Sequence, residues 1–241
     1  MQRTRKRTIA AISGVVTVVA AVVATVLLWP QPHKAAPTVA VLPQPVPAPV
    51  IETPVAQDKP ALAHVTASAP IAFRLSGPAF TIDAKVCGMP YVRPLDPPGD
   101  QVHTVCWVDH DFGVAPGSPS TGTTYVLGHA WAEAKLVLNP LSEFATAHAS
   151  ARPRTLANGV AVFDFPAIKG YRLRLDTARG HLTYSVSAGF LVAKSEAGNV
   201  ASVMAQTIRN RVVIITCAVK NGVDLDQNVI VYANLVGAAR R

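Results

Sequence analysis

The 241-residue sequence lacks the features of a nucleic-acid-binding protein, although its formal net charge is +8. Six basic and two acidic residues precede position 71, which leaves 16 Lys and Arg against 12 Asp and Glu in the remainder. No dense basic stripe runs through that remainder, and aromatic residues make up only 6% of the chain, too few for a ladder that stacks on bases. We therefore expect no nucleic-acid partner.

The sequence also lacks an adequate set of metal ligands. Two pairs of carboxylates in predicted loops are too few for calcium, which takes six to eight oxygens. These pairs are Asp109 with Asp111 and Asp224 with Asp226. His103, His110 and Cys106 supply only three ligands, whereas a structural zinc site needs four. We expect neither a metal nor another cofactor.

Charge is absent from residues 8–29, a run dominated by Ala, Val, Leu and Ile. At about 1.5 Å per residue, a helix of this length spans roughly 30 Å, the thickness of a hydrocarbon core. The basic residues of segment 1–7 precede the run and no basic cluster closely follows it, which places the N-terminus in the cytoplasm. We predict a single-pass signal-anchor in the cell membrane. A cleaved signal peptide is the alternative, although the run exceeds the usual length of such an apolar region.

Residues 30–70 contain ten of the 20 prolines and few charges. Because proline lacks an amide donor and restricts φ, this segment is predicted to be an extended polyproline II linker. Residues 71–241 then form one extracytoplasmic domain of sufficient length for a sizeable core.

Long helical patterns are scarce after residue 70. Short apolar or alternating runs, broken by Gly, Pro, Asn and Asp, predict a mainly β domain. The predicted strands are 79–84, 102–108, 123–128, 160–165, 171–176, 182–192, 212–216 and 229–232. The best helix candidate is 197–208, which carries apolar residues at helical spacing. Seven or eight strands with one or two short helices favour a closed β-barrel, with a β-sandwich as the alternative.

Cysteine is rare, with three residues in the chain. Cys87 and Cys106 lie 19 positions apart in a loop-rich stretch and can pair in an oxidising compartment. Cys217 is then left over, and an odd cysteine in an exported protein indicates either a reactive thiol or a small buried side chain.

Cys217 and His129 occupy matching positions in the predicted fold. Cys217 ends the apolar run Val-Val-Ile-Ile-Thr-Cys, and His129 ends Thr-Tyr-Val-Leu-Gly-His. A thiol and an imidazole at two strand ends can act as a nucleophile and a general acid. We predict that these two residues form a catalytic pair.

These two motifs resemble those of the sortase family. Tyr-Val-Leu-Gly-His, ending at His129, is similar to the strand-ending Gly-His of sortases, and Ile-Ile-Thr-Cys, ending at Cys217, is similar to their Leu-Ile-Thr-Cys. The strand that begins at Asn228 resembles the family's closing strand. With the signal-anchor in front, the layout resembles actinobacterial sortases of class E or F.

The resemblance implies an eight-stranded barrel and cysteine transpeptidation without a cofactor. Cys217 would attack an LPXTG-like signal on a secreted protein, and His129 would protonate the leaving amine. An acceptor amine, such as one from a cell-wall precursor, would then take the acyl group. Thr216 would lie beside the substrate, and backbone amides near Cys217 would bind the oxyanion.

The sequence departs from the family at the arginine near the closing strand. That position falls on Asn228, or on Asp226 in the class F register, and no Arg occurs between Cys217 and Arg240. The candidate substitutes for this arginine are Lys220, Asn228 and either Arg172 or Arg174.

Two alternatives to an active sortase follow from this departure and from the cysteine itself. A degenerate sortase-like barrel would bind peptides or proteins at the cell envelope without catalysis. An L,D-transpeptidase is less favoured, because that class carries Ser-His-Gly-Cys and here the cysteine follows Ile-Ile-Thr.

Overall fold

The structure, a computed structural model, describes residues 62–241. The predicted signal-anchor and most of the predicted linker lie outside these residues. The strands are β1 Pro70–Ser76, β2 Thr81–Pro90, β3 Thr104–His110, β4 Thr123–Leu127, β5 Arg154–Thr155, β6 Ala161–Asp164, β7 Arg172–Thr177, β8 Gly180–Ala193, β9 Arg211–Lys220 and β10 Val223–Arg240. The helices are α1 Asn139–His148 and α2 Ala201–Met204, with single 3₁₀ turns at Pro166–Ile168 and Ala197–Asn199.

Eight of the strands close into a barrel. Their order is β10-β9-β4-β3-β2-β1-β7-β8, and pairing of β8 with β10 completes the ring. β6 also pairs with β8, and β5 extends from β6 outside the ring. The predicted mainly β fold and eight-stranded barrel are therefore confirmed, and the sandwich alternative is wrong.

Two parallel strand pairs determine which loops border the site. β2 runs parallel to β3, and β4 runs parallel to β9. A parallel pair cannot be joined by a tight hairpin, so each pair needs a crossover connection. The β2–β3 crossover is residues 91–103, and the chain between β4 and β9 contains α1 and β5–β8.

The sequence patterns of the strands match their environments. β7 alternates as predicted for one wet face, with Leu173 and Leu175 buried and Arg172 and Arg174 exposed. β4 and β9 have continuous apolar runs because they are covered on both faces. One face belongs to the barrel interior, and the other belongs to a second apolar cluster built with residues of β3, β8 and α2. This second cluster places the ends of β4 and β9 under a layer of loops.

The helices differ from the sequence prediction. The predicted helix 197–208 is wrong in extent, because only a 3₁₀ turn and the four residues of α2 are helical. Gly198 and Asn199 are weak helix formers at its start, and burial of Val200 and Val203 satisfies the apolar spacing without a long helix. Within residues 62–241 the longest helix is α1, and the sequence patterns did not predict it. It has Pro140 in its first turn and buries its apolar face against β9.

The barrel begins at Pro70, one residue before the predicted domain boundary, with a strand that was not predicted. The preceding segment also contacts the barrel, since Val65 forms a β-bridge with Ser118. Within residues 62–241, none of the helices has the length and apolarity needed to cross a membrane.

Candidate functional site

One cavity of about 500 Å³ lies where the loop layer covers β4 and β9. Its floor is apolar and carries Cys217, Thr216 and His129. One wall comes from the crossover loop 91–97 and the other from residues 194–204. The structure thus brings the two predicted catalytic residues to one cavity.

Cys217 lies near the end of β9 and pairs in register with Asn228 of β10. It is half-buried and is the one cysteine outside a disulfide, since Cys87 and Cys106 are bonded to each other. The β9–β10 register shifts between Asp224 and Asn228, directly beyond this pair. The thiol therefore lies beside a bulge that interrupts the pairing of β9 with β10, which resumes at Val219 and Asp224.

Helix α1 holds the backbone from the Cys217 carbonyl to Val219. The hydroxyl of Ser142 donates to the Cys217 carbonyl at 2.8 Å and accepts from the Val219 amide at 2.7 Å. The hydroxyl of Thr146, one turn later, donates to the Val219 carbonyl at 2.7 Å. These bonds replace strand pairing that β4 no longer supplies. Two hydroxyls four residues apart lie on one helix face, a pattern the sequence offers only once α1 is known.

The residue that precedes α1 fixes the backbone of His129. The Leu138 amide, just before α1, donates to the His129 carbonyl at 2.9 Å. Gly128 allows the backbone before His129 to pack closely against two side chains, since a Cβ there would lie 2.7 Å from Leu138 Cδ1 and 3.0 Å from Val105 Cγ1. The Gly128 amide still bonds β9 through the Ile215 carbonyl. A larger residue at position 128 would therefore force the Leu138 or Val105 side chain, or the end of β4, to shift.

The imidazole of His129 is engaged by the crossover loop. Nε2 lies 3.0 Å from the Pro97 carbonyl oxygen and 3.3 Å from Asp96 Oδ1. The His129 side chain is 19% exposed, whereas the Asp96 side chain is 75% exposed. The contact thus joins a largely buried ring to a solvated carboxylate.

Two polar side chains in the floor complete the site. The buried Thr216 hydroxyl, next to Cys217, has no hydrogen-bond partner among the described residues. The Tyr125 hydroxyl donates to the Val203 carbonyl at 2.8 Å. Burial raises the pKa of Tyr125 to about 12, so its phenol remains a neutral donor at ordinary pH. The Thr216 hydroxyl is fully buried and, because side chains alternate along a strand, lies on the opposite face of β9 from the Cys217 thiol.

The predicted substitutes for the family's arginine fall in different places. Asn228 lines the cavity, whereas Lys220 is exposed and does not. Arg172 is exposed on β7, and Arg174 bonds Asp176 beside a separate concavity on β1, β2 and β7. Asp226 does not line the cavity.

Sequence reasoning missed two cations that line this cavity, Arg93 and Lys194. Neither residue lies in a motif or a periodic segment, so their positions depend on how two loops pack.

The carboxylates that the sequence analysis considered as metal ligands form no metal site in the described part of the chain. The Asp224 carboxylate instead accepts a hydrogen bond from the Ala132 amide at 3.0 Å. Residues 62–241 contain no group of three or more His, Cys, Asp or Glu suited to a metal ion.

The disulfide lies at the base of the crossover loop. Cys87 of β2 and Cys106 of β3 are register partners, with their Cα atoms 4.4 Å apart. The loop that they enclose carries Arg93, Asp96 and Pro97 to the cavity. The bridge therefore fixes both ends of one cavity wall.

Comparison with solved structures finds sortases. The chain is similar to sortase A of Listeria monocytogenes at 12% identity and a TM-score of 0.43, covering 72% of this chain and 92% of that one. A sortase from Actinomyces oris gives 13% identity and a TM-score of 0.44, with coverage of 77% and 90%. A lid mutant of sortase A from Corynebacterium diphtheriae gives 15% identity and a TM-score of 0.45, with coverage of 70% and 72%. No protein-family model and no curated protein matches the chain.

Proposed function

We propose that this chain is an extracytoplasmic cysteine transpeptidase of sortase type, similar to class E or F and anchored in the membrane by residues 8–29. Its substrate is an LPXTG-like peptide on a secreted protein, and its acceptor is an amine such as that of a cell-wall precursor. One observation carries the proposal: a free thiol and an imidazole share an apolar cavity, and a single helical segment braces both backbones.

The first half-reaction makes a thioester. The Cys217 thiolate attacks the peptide carbonyl carbon and forms a C–S bond. The C–N bond then breaks, and the leaving amine takes a proton from the His129 imidazolium. Since Nε2 of His129 contacts Pro97 and Asp96 in the present arrangement, proton transfer from Nε2 requires the crossover loop to release it.

The second half-reaction restores the enzyme. The acceptor amine attacks the thioester carbonyl, the new amide bond forms, and sulfur leaves as the thiolate. The proton that the amine loses returns to His129. Asn228 offers a neutral amide donor beside Cys217, whereas Thr216 contributes its backbone to the cavity floor. Lys220, which is exposed outside the cavity, has no part in this scheme.

The test is formation of a thioacyl adduct on Cys217. The soluble part, residues 62–241, is incubated with a set of LPXTG-type peptides, with and without triglycine, and its mass is measured. We expect an adduct whose mass equals the acyl half of the peptide, its loss in Cys217→Ala, and a ligated product when triglycine is present. A folded protein that gives neither adduct nor product with the whole set would contradict the proposal.

A second candidate function is binding of envelope peptides without catalysis. It is favoured by Asn228, a neutral residue in register with Cys217 where the resemblance led us to expect arginine. The same experiment separates the two functions. Peptides that bind to wild-type protein and to Cys217→Ala with equal affinity, and that never acylate the thiol, would favour the binding module.

A further inference from the structure

The charged side chains that line the catalytic cavity are unbalanced. Its lining includes two basic side chains, Arg93 and Lys194, and one carboxylate, Asp96. Asp96 is engaged with His129. Within residues 62–241, Arg93 and Lys194 form no ion pair with any carboxylate. Two cations therefore border a largely apolar groove whose one carboxylate is paired with His129 and not with them.

Arg93 is held in position although it is exposed. Its Nε and Nη2 donate to the Tyr91 hydroxyl at 3.1 and 2.8 Å. The Tyr91 ring stacks on Phe112 with centroids 4.2 Å apart, and Phe112 in turn packs against Tyr125 of β4 at 4.6 Å. The guanidinium is thus tied through three aromatic rings to the barrel, and its Nη1 has no acceptor in the described part of the chain.

Gly198 on the opposite wall makes room for the guanidinium. A Cβ at this position would lie 3.1 Å from both Nη1 and Nη2 of Arg93. Arg93 therefore reaches from the crossover loop to the wall that also carries Lys194. The two cations border the same space from both sides, and that space ends at Cys217.

We infer that this cavity selects peptide acyl donors that carry a carboxylate side chain near the scissile bond, and that Arg93 and Lys194 recognise it. An anion entering the groove gains charge-assisted hydrogen bonds and is concentrated near the thiol, whereas a lysine side chain is repelled. The inference rests on the proposed transpeptidase function for its substrate, but the charge selectivity of the cavity can be measured without any peptide.

The peptide-free test uses Cys217 as a probe of its surroundings. Iodoacetate and iodoacetamide alkylate the same thiol and differ by one negative charge. The ratio of the iodoacetate rate constant to the iodoacetamide rate constant therefore reports the local potential. We expect the ratio to fall by about tenfold in the double variant Arg93→Gln/Lys194→Gln, from the loss of two nearby unit charges. In wild-type protein, 0.5 M salt should lower the ratio toward that of the variant.

The matched control removes one arginine and one lysine elsewhere. Arg209→Gln/Lys135→Gln changes two exposed residues outside the cavity and lowers the net charge by the same amount. Its ratio should equal that of wild-type protein. An unchanged ratio in the cavity variant, or an equal fall in the control, would overturn the inference. Partial unfolding is recognised because it changes both reagents' rates together.

Peptide arms then identify which reactant carries the carboxylate. Donor peptides with Glu or Gln at the variable position of the signal are compared, as are triglycine and triglycinamide acceptors. We expect the Glu donor to be preferred about tenfold, with the preference lost in Arg93→Gln/Lys194→Gln. Preference for the acceptor carboxylate alone, or equal use of both donors, would overturn recognition of the donor. If no peptide reacts, the transpeptidase proposal fails and the alkylation ratio alone decides whether the cavity is anion-selective.

Discussion

The floor and the rim of the cavity are built differently. The floor comprises the ends of β4 and β9, and hydrogen bonds from α1 and the residue before it fix the backbones of Cys217 and His129. The rim comprises the two cavity walls, residues 91–97 and 194–204. Their charged side chains Arg93, Asp96 and Lys194 are exposed to solvent. In the proposed mechanism, the chemistry that needs fixed geometry lies in the floor and charge recognition lies in the rim.

This difference makes the two regions separable by mutation. Floor substitutions should lower the rate of acyl transfer at saturating substrate, because they disturb the reacting groups. Rim substitutions should change which substrates react while leaving the chemistry largely intact. The following changes test that division, beginning with the largest expected effect.

Replacing His129 by Gln should lower the rate of thioacyl formation by about 10² to 10⁴, the usual contribution of a general acid. The measurement is the single-turnover rate of adduct formation by mass. His103→Gln is the matched control, since His103 also contacts a carboxylate, Asp100 at 2.9 Å, but lies outside the cavity. Equal rates for wild type and His129→Gln would remove His129 from the mechanism.

Removing the disulfide with Cys87→Ser/Cys106→Ser should lower the free energy of unfolding by about 3 kcal/mol, as expected for a loop closed over 19 positions. Urea titration of residues 62–241 measures the effect. Because the bridge anchors the rim, KM should rise while the rate at saturation changes little. A large fall in that rate, with KM unchanged, would show that the floor depends on the bridge.

Replacing Ser142 by Ala should cost about 1–3 kcal/mol, because the buried Val219 amide loses its acceptor. It should also lower the acylation rate, since the carbonyl of Cys217 loses its donor. Thr146→Val is the matched control, because Thr146 bonds β9 at Val219 and not at Cys217. Equal kinetic losses in the two variants would mean that α1 acts on stability alone.

The floor was largely predictable from the sequence, and the rim was not. Cys217 and His129 each end an apolar run, and such runs predict buried strands whose ends meet at one edge of the barrel. The brace from Ser142 was missed because α1 contains few strong apolar signals. Arg93 and Lys194 were missed because loop packing, which periodicity does not encode, brings them to the cavity.

The smallest effect is expected at the contact that joins rim to floor. Asp96→Asn removes a charge 3.3 Å from His129 Nε2, but the carboxylate is 75% exposed, so the pair contributes at most about 1 kcal/mol. The Pro97 carbonyl keeps its own bond to Nε2 at 3.0 Å. We therefore expect unchanged stability and an increase of less than about fivefold in acylation, because His129 is released more readily.

Asp100→Asn is the matched control for this change, since it breaks a carboxylate–histidine pair on the same loop away from the cavity. Single-turnover acylation and thermal unfolding are compared for both variants. A fall of more than tenfold in Asp96→Asn alone would mean that this exposed carboxylate positions His129 for proton transfer. Asp96 would then belong functionally to the floor, and exposure to solvent would no longer divide residues that react from residues that select.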